Sequence, residues 1–369
     1  MTEVRFPSPV IPEGLDTPCL VLDIDVVEAN ARRLQTALDA RSVRLRPHVK
    51  THKSVALARL QLEVGAIGLT VGTLGEAETF AGAGLTDLFV AYPIWAVGPK
   101  ATRLRAIHEV ADLAVGIDSV AGAERRAAAV AGSGRPLRVR VEIDPGNQRT
   151  GVVPERAADI ARAATELGLV VEGVFSHAGH GYASPEARLT AAADEIRTLT
   201  AAADALSAIG LEVPIVSAGS TPTMINAAAG RVNEIRAGTY LLGDRQQAVL
   251  GSIAADALAL HVVATVVSTA VPGQVVLDAG AKTLTKDRAS YLEGFGALPA
   301  YPDAVIERLS DYHGIVHIPP GTPAPHLGEV VAVAPNHVCP VVDLFADFVV
   351  VRGGRYDGRW PVDARGLSR

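Results

Sequence analysis

The stretch RPHVKTHKS, residues 46–54, sets Lys50 and Lys53 among two histidines, with Lys50 near the C-terminal end of an expected strand. A lysine amine that has lost its proton attacks an aldehyde to form an imine, and a partly dry setting lowers its pKa and favours that state. The plain alternative is a pair of solvated turn lysines. Three other stretches weigh against it. DPGNQRTG (144–151) follows another apolar run and carries Arg149, a group suited to a phenolate or carboxylate. SAGSTPT (217–223) offers Gly219 for close backbone approach, the hydroxyls of Ser220 and Thr221, and Pro222 for a first helical turn, a pattern suited to a phosphate. EIRAGTY (234–240) adds Gly238 and Thr239 to the same cup, with Arg236 able to reach a ring nitrogen or a carboxylate.

A reactive lysine, an arginine and two phosphate-type loops are what pyridoxal phosphate (PLP) requires, with Lys50 on the aldehyde and the loops on the phosphate. SHAGHGY (176–182) supplies His177 to pack on the ring and Tyr182 to reach cofactor or substrate, or else a buried polar cluster. Further on, PNHVCP (335–340) spaces His337 and Cys339 two apart, which in a strand puts both side chains on one face. Imidazole nitrogen with thiolate sulfur favours zinc, and a site of only two or three protein ligands leaves room for a substrate oxygen. Asp343 and His313 are secondary candidates for that neighbourhood, and Cys19, inside an apolar run, reads as a core residue.

These residues need strands to carry them. From about residue 17 to 245, short apolar runs (19–25, 43–50, 67–72, 88–93, 113–118, 137–144, 171–179, 213–220 and 234–244) alternate with alanine-rich amphipathic stretches. Such alternation predicts parallel strands covered by helices, and about eight units fit a (β/α)8 barrel, whose reactive groups gather at the C-terminal strand ends. No GxGxxG follows the first run, which weakens a dinucleotide-binding reading. Beyond about residue 250 the strands are separated by Gly, Pro and Asp turns. The expected fold class is therefore α/β, with an N-terminal barrel over 17–248 and a C-terminal mostly antiparallel β domain over 249–369, joined by residues 1–16.

The 369 residues are 49% hydrophobic and 20% charged, with a net charge of −6, which argues against nucleic acid as a partner. No apolar run is long enough to span a membrane, the N-terminal stretch lacks the layout of a secretory signal, and two cysteines make no disulfide framework. A cytoplasmic protein acting on a small molecule is expected.

RPHVKTHK, DPGNQRTG, SHAGHGY, SAGSTPT, NEIRAGTY, DAGAK and PNHVCPVVDL, in this order, resemble the D-serine dehydratase and D-threonine aldolase family of PLP enzymes with the alanine-racemase-like fold. The likeness spans essentially the whole chain. It implies that Lys50 is the imine lysine, that His337 and Cys339 bind Zn2+ or another divalent metal, and that the protein is a homodimer. It also implies the D-configuration of the substrate. Aldolase members tend to carry H-x-D at the metal motif and zinc-dependent D-serine dehydratases H-x-C, so His337-Val338-Cys339 sides with the dehydratases. The expectation is a dehydratase that turns D-serine or D-threonine into a 2-oxo acid and ammonia. The alternatives are an aldolase giving glycine and an aldehyde, a metal-free racemase, a non-catalytic PLP-binding protein and a zinc hydrolase barrel.

Overall fold

A computed structural model describes residues 4–369, which divide into two compact units. One comprises Leu34–Lys50, Leu57–Gly238 and Leu367–Arg369; the other comprises Met1–Arg33 (described from Val4), Thr51–Ala56 and Thr239–Gly366. Strands are numbered along the chain, and β1 (Cys19–Asp23) belongs to the second unit.

The first unit is built on β2 (Arg44–Leu45), β3 (Leu69–Val71), β4 (Asp87–Pro93), β5 (Asp112–Ile117), β6 (Arg138–Ile143), β7 (Val170–Ser176), β8 (Ile215–Ala218) and β9 (Glu234–Ile235). They pair in parallel in the order β2-β9-β8-β7-β6-β5-β4-β3. The Ile67 amide donates to Leu45 O and the Thr70 amide to Pro47 O, closing the ring from β3 back to β2. The expected barrel is therefore present. Helices wrap it through small residues: Pro154–Glu166 begins on a proline and buries Ala157, Ile160, Ala161 and Ala164, a stripe at helical spacing. β7 runs so close to β8 that a Cβ at Gly173, whose φ is +155°, would lie 1.9 Å from Ile215 O.

The barrel interior is ionic. Arg140, fully buried, meets Glu172 at 2.5 Å and Glu234 at 2.5 Å, and Arg46 Nε meets Glu234 at 3.0 Å. Burial opposes the Glu234 charge, but Arg140, Arg46 and the Ser217 hydroxyl outweigh it and hold its pKa down to about 2. A buried charge survives only when paired and hydrogen-bonded in this way.

In the second unit β1, β10 (Leu260–Ser268), β11 (Gln274–Leu277), β12 (Val305–Leu309), β13 (Gly314–His317), β14 (Val330–Val333), β15 (Asp347–Arg352) and β16 (Arg355–Pro361) form one sheet, ordered β12-β13-β11-β10-β1-β15-β16 with β14 also on β10. It is antiparallel except where β1 runs parallel to β15. Here the structure corrects the sequence reading. The run at 19–25 was expected to open the barrel, but Cys19 and Val21 pack with Val263, Val349 and Val351 in the second unit's sheet. The unit boundary accordingly falls at Gly238/Thr239, not after residue 248, and the residues up to Arg33 go with the sheet.

Candidate functional site

Lys50 stands on the single 3-10 turn Val49–Thr51, past the end of β2, where the His48 amide still donates to Ala237 O. It is exposed, because the turn carries it out beyond the strand ladder; the partly dry setting expected from sequence is not what surrounds it. Lys53 is different. It is buried, its φ is +52°, and its Nζ lies 2.6 Å from Asp343 Oδ1. The two lysines of KTHK thus divide into one engaged in an ion pair and one presented to solvent.

The barrel's C-terminal strand ends bring most of the expected residues together. His48 and His177 are half-buried, and their pKa values are pushed well below 6.5 by burial first and then by the positive charges of Lys50, Arg236 and Arg149. The ring of His177 is tilted against Tyr182 at 6.4 Å between centroids. Arg236 is buried, donates from Nη1 to Ser217 Oγ at 2.6 Å and from Nη2 to the Ser176 carbonyl, and lies 5.3 Å from the Phe175 ring centre. Burial lowers its pKa to about 10. Arg149 is half exposed, with Nη2 3.9 Å from Glu142 Oε1.

Glu142, on β6, escaped the sequence reading. It is buried, its pKa is raised by burial, it accepts from Thr150 Oγ1 at 2.8 Å, and its Oε2 has no hydrogen-bond partner among the described residues. The only sequence signal was a carboxylate inside the apolar run VRVEI.

The 219–221 turn departs from expectation in one respect. The Gly219 amide is spent on Glu195 Oε1 and the Ser220 amide on Thr223 Oγ1, so these two N–H groups are turned to the protein and not to a bound phosphate. A residue with φ of +100° at 219 turns the chain at once beneath Ile235, and that geometry uses the amides inward. Ser220 and Thr221 remain buried at the turn, and Gly238 is buried at the neighbouring strand end. An exposed amine, a cluster of cations, two histidines held neutral and a pair of buried small-residue loops fit an anionic, phosphate-bearing aldehyde such as PLP.

Acid should unsettle this arrangement. His48, His177 and His261 (pushed to about 4 by burial) all hold a proton less readily folded than unfolded, where the value is 6.5. Their stabilising effect is complete above 6.5 and is lost as pH falls toward the folded values, at up to ~1.4 kcal/mol per pH unit for each group. Urea midpoints at about pH 7.5 and about pH 5 should show the drop before ordinary carboxylates titrate. An unchanged midpoint would mean that these histidines are not held neutral.

The metal-type residues lie in the second unit. His337 and Cys339 do not occupy a strand as expected: His337 is the N-cap of the short helix Val338–Val342 and Cys339 is in its first turn. Asp244 fixes that turn, its Oδ2 accepting the Val338 amide at 3.1 Å, and burial raises its pKa to about 6. His337 Nδ1 is 2.6 Å from Asp287 Oδ2, which orients the ring, and the imidazole is also hydrogen-bonded to Cys339. Burial works against charge on His337, yet Cys339 and Asp287 carry its pKa up to about 11. The Cys339 thiol lies 3.3 Å from Thr51 Oγ1 and 3.7 Å from Thr239 Oγ1, so the Thr239 hydroxyl attends the thiol.

Among the described residues no three His, Cys, Asp or Glu side chains converge as a ready-made cage. Asp343 is committed to Lys53, and His313 sits in the turn between β12 and β13, its carbonyl bonded to the Ser310 amide. Sulfur and nitrogen donors, a carboxylate orienting the histidine and a local demand for positive charge fit a divalent cation held by two protein ligands.

The chain matches the family described as "Alanine racemase, N-terminal domain" over residues 22–246 and that described as "Putative serine dehydratase domain" over residues 259–351. It is 37% identical to the D-threo-3-hydroxyaspartate dehydratase of Delftia sp. (strain HT23), covering 88% of this chain and 91% of the relative. The solved D-threonine aldolase from Filomicrobium marinum superposes with a TM-score of 0.90 at 31% identity, covering 99% of this chain and 100% of the other. A D-threo-3-hydroxyaspartate dehydratase variant with a cysteine replaced by alanine, solved in the metal-free form, gives a TM-score of 0.84 at 35% identity over 94% of this chain and 97% of the other. With both of its domains matched in order and its relatives covered nearly end to end, the chain belongs to the D-serine dehydratase and D-threonine aldolase family of alanine-racemase-like proteins.

Proposed function

We propose that this protein is a PLP- and zinc-dependent lyase that dehydrates D-β-hydroxy amino acids, such as D-serine or D-threonine, to a 2-oxo acid and ammonia. Lys50, Arg149, His177, Tyr182 and Arg236, with the loops at Gly219, Ser220, Thr221, Gly238 and Thr239, hold the cofactor; His337 and Cys339 hold the metal. In this reading the barrel unit carries all of the cofactor residues but Thr239, and the unit of the mostly antiparallel sheet carries the metal pair. The observation that carries the dehydratase reading is Cys339 beside a His337 oriented by Asp287.

Bound PLP supplies an electron sink for negative charge at the substrate's α-carbon. A zinc ion on imidazole and thiolate supplies Lewis-acid stabilisation for an oxygen that gains charge. The chain's residues do the rest. The Lys50 amine, exposed on its turn, would hold the cofactor's aldehyde and would serve as the base for the substrate's α-proton. Arg149, half exposed, is placed to receive a carboxylate. Arg236, buried among Ser176, Ser217 and Phe175, keeps a fixed cation at the base of the site. His48 and His177, held neutral, leave the acid-base work to Lys50. Loss of the α-proton and the β-hydroxide removes one water, and water returns when the enamine decays to the 2-oxo acid and ammonia.

The second reading is aldol cleavage to glycine and an aldehyde, supported by the close likeness to a D-threonine aldolase. Product analysis on D-serine, D-threonine and D-threo-3-hydroxyaspartate, with and without a chelator, decides between them. Ammonia and a 2-oxo acid, lost with the metal, are expected; glycine in their place would establish the aldolase. A cytoplasmic homodimer acting on a small D-amino acid, with neither nucleic acid nor membrane as partner, completes the reading; no helix among the described residues is long and apolar enough to cross a membrane.

A further inference from the structure

The helix Ala187–Ala208 packs against the barrel through alanines, yet at its centre it buries a carboxylate. Glu195 is fully buried, and three donors converge on it: the Gly219 amide at 3.0 Å and Ser176 Oγ at 3.1 Å on Oε1, and Thr223 Oγ1 at 2.8 Å on Oε2. Thr223 Oγ1 in turn accepts the Ser220 amide at 3.1 Å and lies 3.2 Å from Ser220 Oγ. A buried carboxylate is costly unless its oxygens are satisfied, and a leucine would serve simple packing better. What Glu195 does that leucine does not is grip both ends of one turn, Gly219 at its start and Thr223 at its finish. Between those grips stand Ser220 and Thr221. Ser176, the third donor, also offers its carbonyl to Arg236, so the same carboxylate joins the turn to the end of β7.

We propose that Glu195 is the positioning residue of the anion-binding turn at 219–223, setting the Ser220 and Thr221 hydroxyls where a phosphate meets them. This rests on the reading of that turn as the PLP phosphate site. Glu195 touches neither cofactor nor substrate; it acts through the turn.

The test compares apoprotein of the wild type, Glu195→Ala, Glu195→Gln and Lys50→Ala, each titrated with PLP and, separately, with inorganic phosphate. Glu195→Ala should weaken both by about tenfold or more, the weight of a lost buried hydrogen bond. Glu195→Gln keeps an acceptor for Gly219 but not for Thr223, and should fall between alanine and wild type. Lys50→Ala should weaken PLP alone and leave inorganic phosphate unchanged. Wild-type affinity for both ligands in Glu195→Ala, or in Glu195→Gln should the alanine variant not fold, overturns the proposal. So does a loss confined to PLP, since that places the effect at the lysine. Wild-type protein that binds phosphate but takes up no PLP would sink the proposed function and still leave the Glu195 comparison readable on phosphate.

Discussion

Lys50→Ala should abolish the visible absorbance that purified protein acquires with PLP and lower turnover by at least about 10³-fold, the scale of a lost general base before the lost covalent anchor is counted. Lys53→Ala is the matched control. Its partner is Asp343 at 2.6 Å, and Asp343 also accepts the Gly366 amide, so Lys53 belongs to the packing of the second unit. That variant should keep its colour and lose stability instead, by about 1 kcal/mol or somewhat more for a largely buried ion pair. The contrast asks which of two lysines three residues apart meets the aldehyde. Borohydride reduction of the wild type, followed by peptide mapping, should mark the peptide at Lys50. A mark on Lys53, or on no lysine, removes the basis of the proposed function.

The distinction between those lysines was beyond the sequence, because both follow an apolar run in a basic context. Burial of Lys53 and its ion pair with Asp343, 290 residues away, separate it from the exposed Lys50. The same limit governed the strands. Apolar runs alternating with alanine-rich helices identify a barrel, since a strand covered on both faces must be apolar throughout. They do not say which sheet a run joins. The run at 19–25 looks like the other eight, but it pairs with β10 and β15, and its removal leaves the eight that close the ring. The ionic barrel interior was equally hidden: Arg140 and Glu234 sit within strands, where local pattern reads them as outward-facing, and they are 94 residues apart.

The candidate residues that the sequence offers lie in short, unusual motifs, most of them at strand ends. The carboxylates that hold them were not legible. Glu195 meets Gly219 across 24 residues, and Asp287 meets His337 across 50. Neither has a motif of its own, since orienting a donor requires only a carboxylate at the right point in space. The H-x-C spacing is visible in the sequence and suggests a strand, but the buried Asp244, by taking the Val338 amide, starts a helix there.

Cys339→Ala should lower the metal content of purified protein to a small fraction of the wild type while the PLP absorbance persists. If His337 and Cys339 are the protein ligands, as proposed, removal of the sulfur leaves a single imidazole, too little to retain a divalent ion against buffer. Asp287→Ala should act in the same direction but less strongly, because it frees the ring of His337 to rotate without removing a ligand; metal affinity should fall by roughly 10- to 100-fold. The order matters more than either value. A metal held by His337 and Cys339 requires the cysteine variant to lose more than the aspartate variant, and both to recover some turnover when zinc is added in excess. Metal content measured by elemental analysis, alongside turnover of D-serine, reads both. If Cys339→Ala retains a full equivalent of metal, the ion is bound elsewhere and the dehydratase assignment loses its ligand. If metal is lost but elimination continues at the wild-type rate, the β-hydroxide departs without it, and the metal has no part in that step.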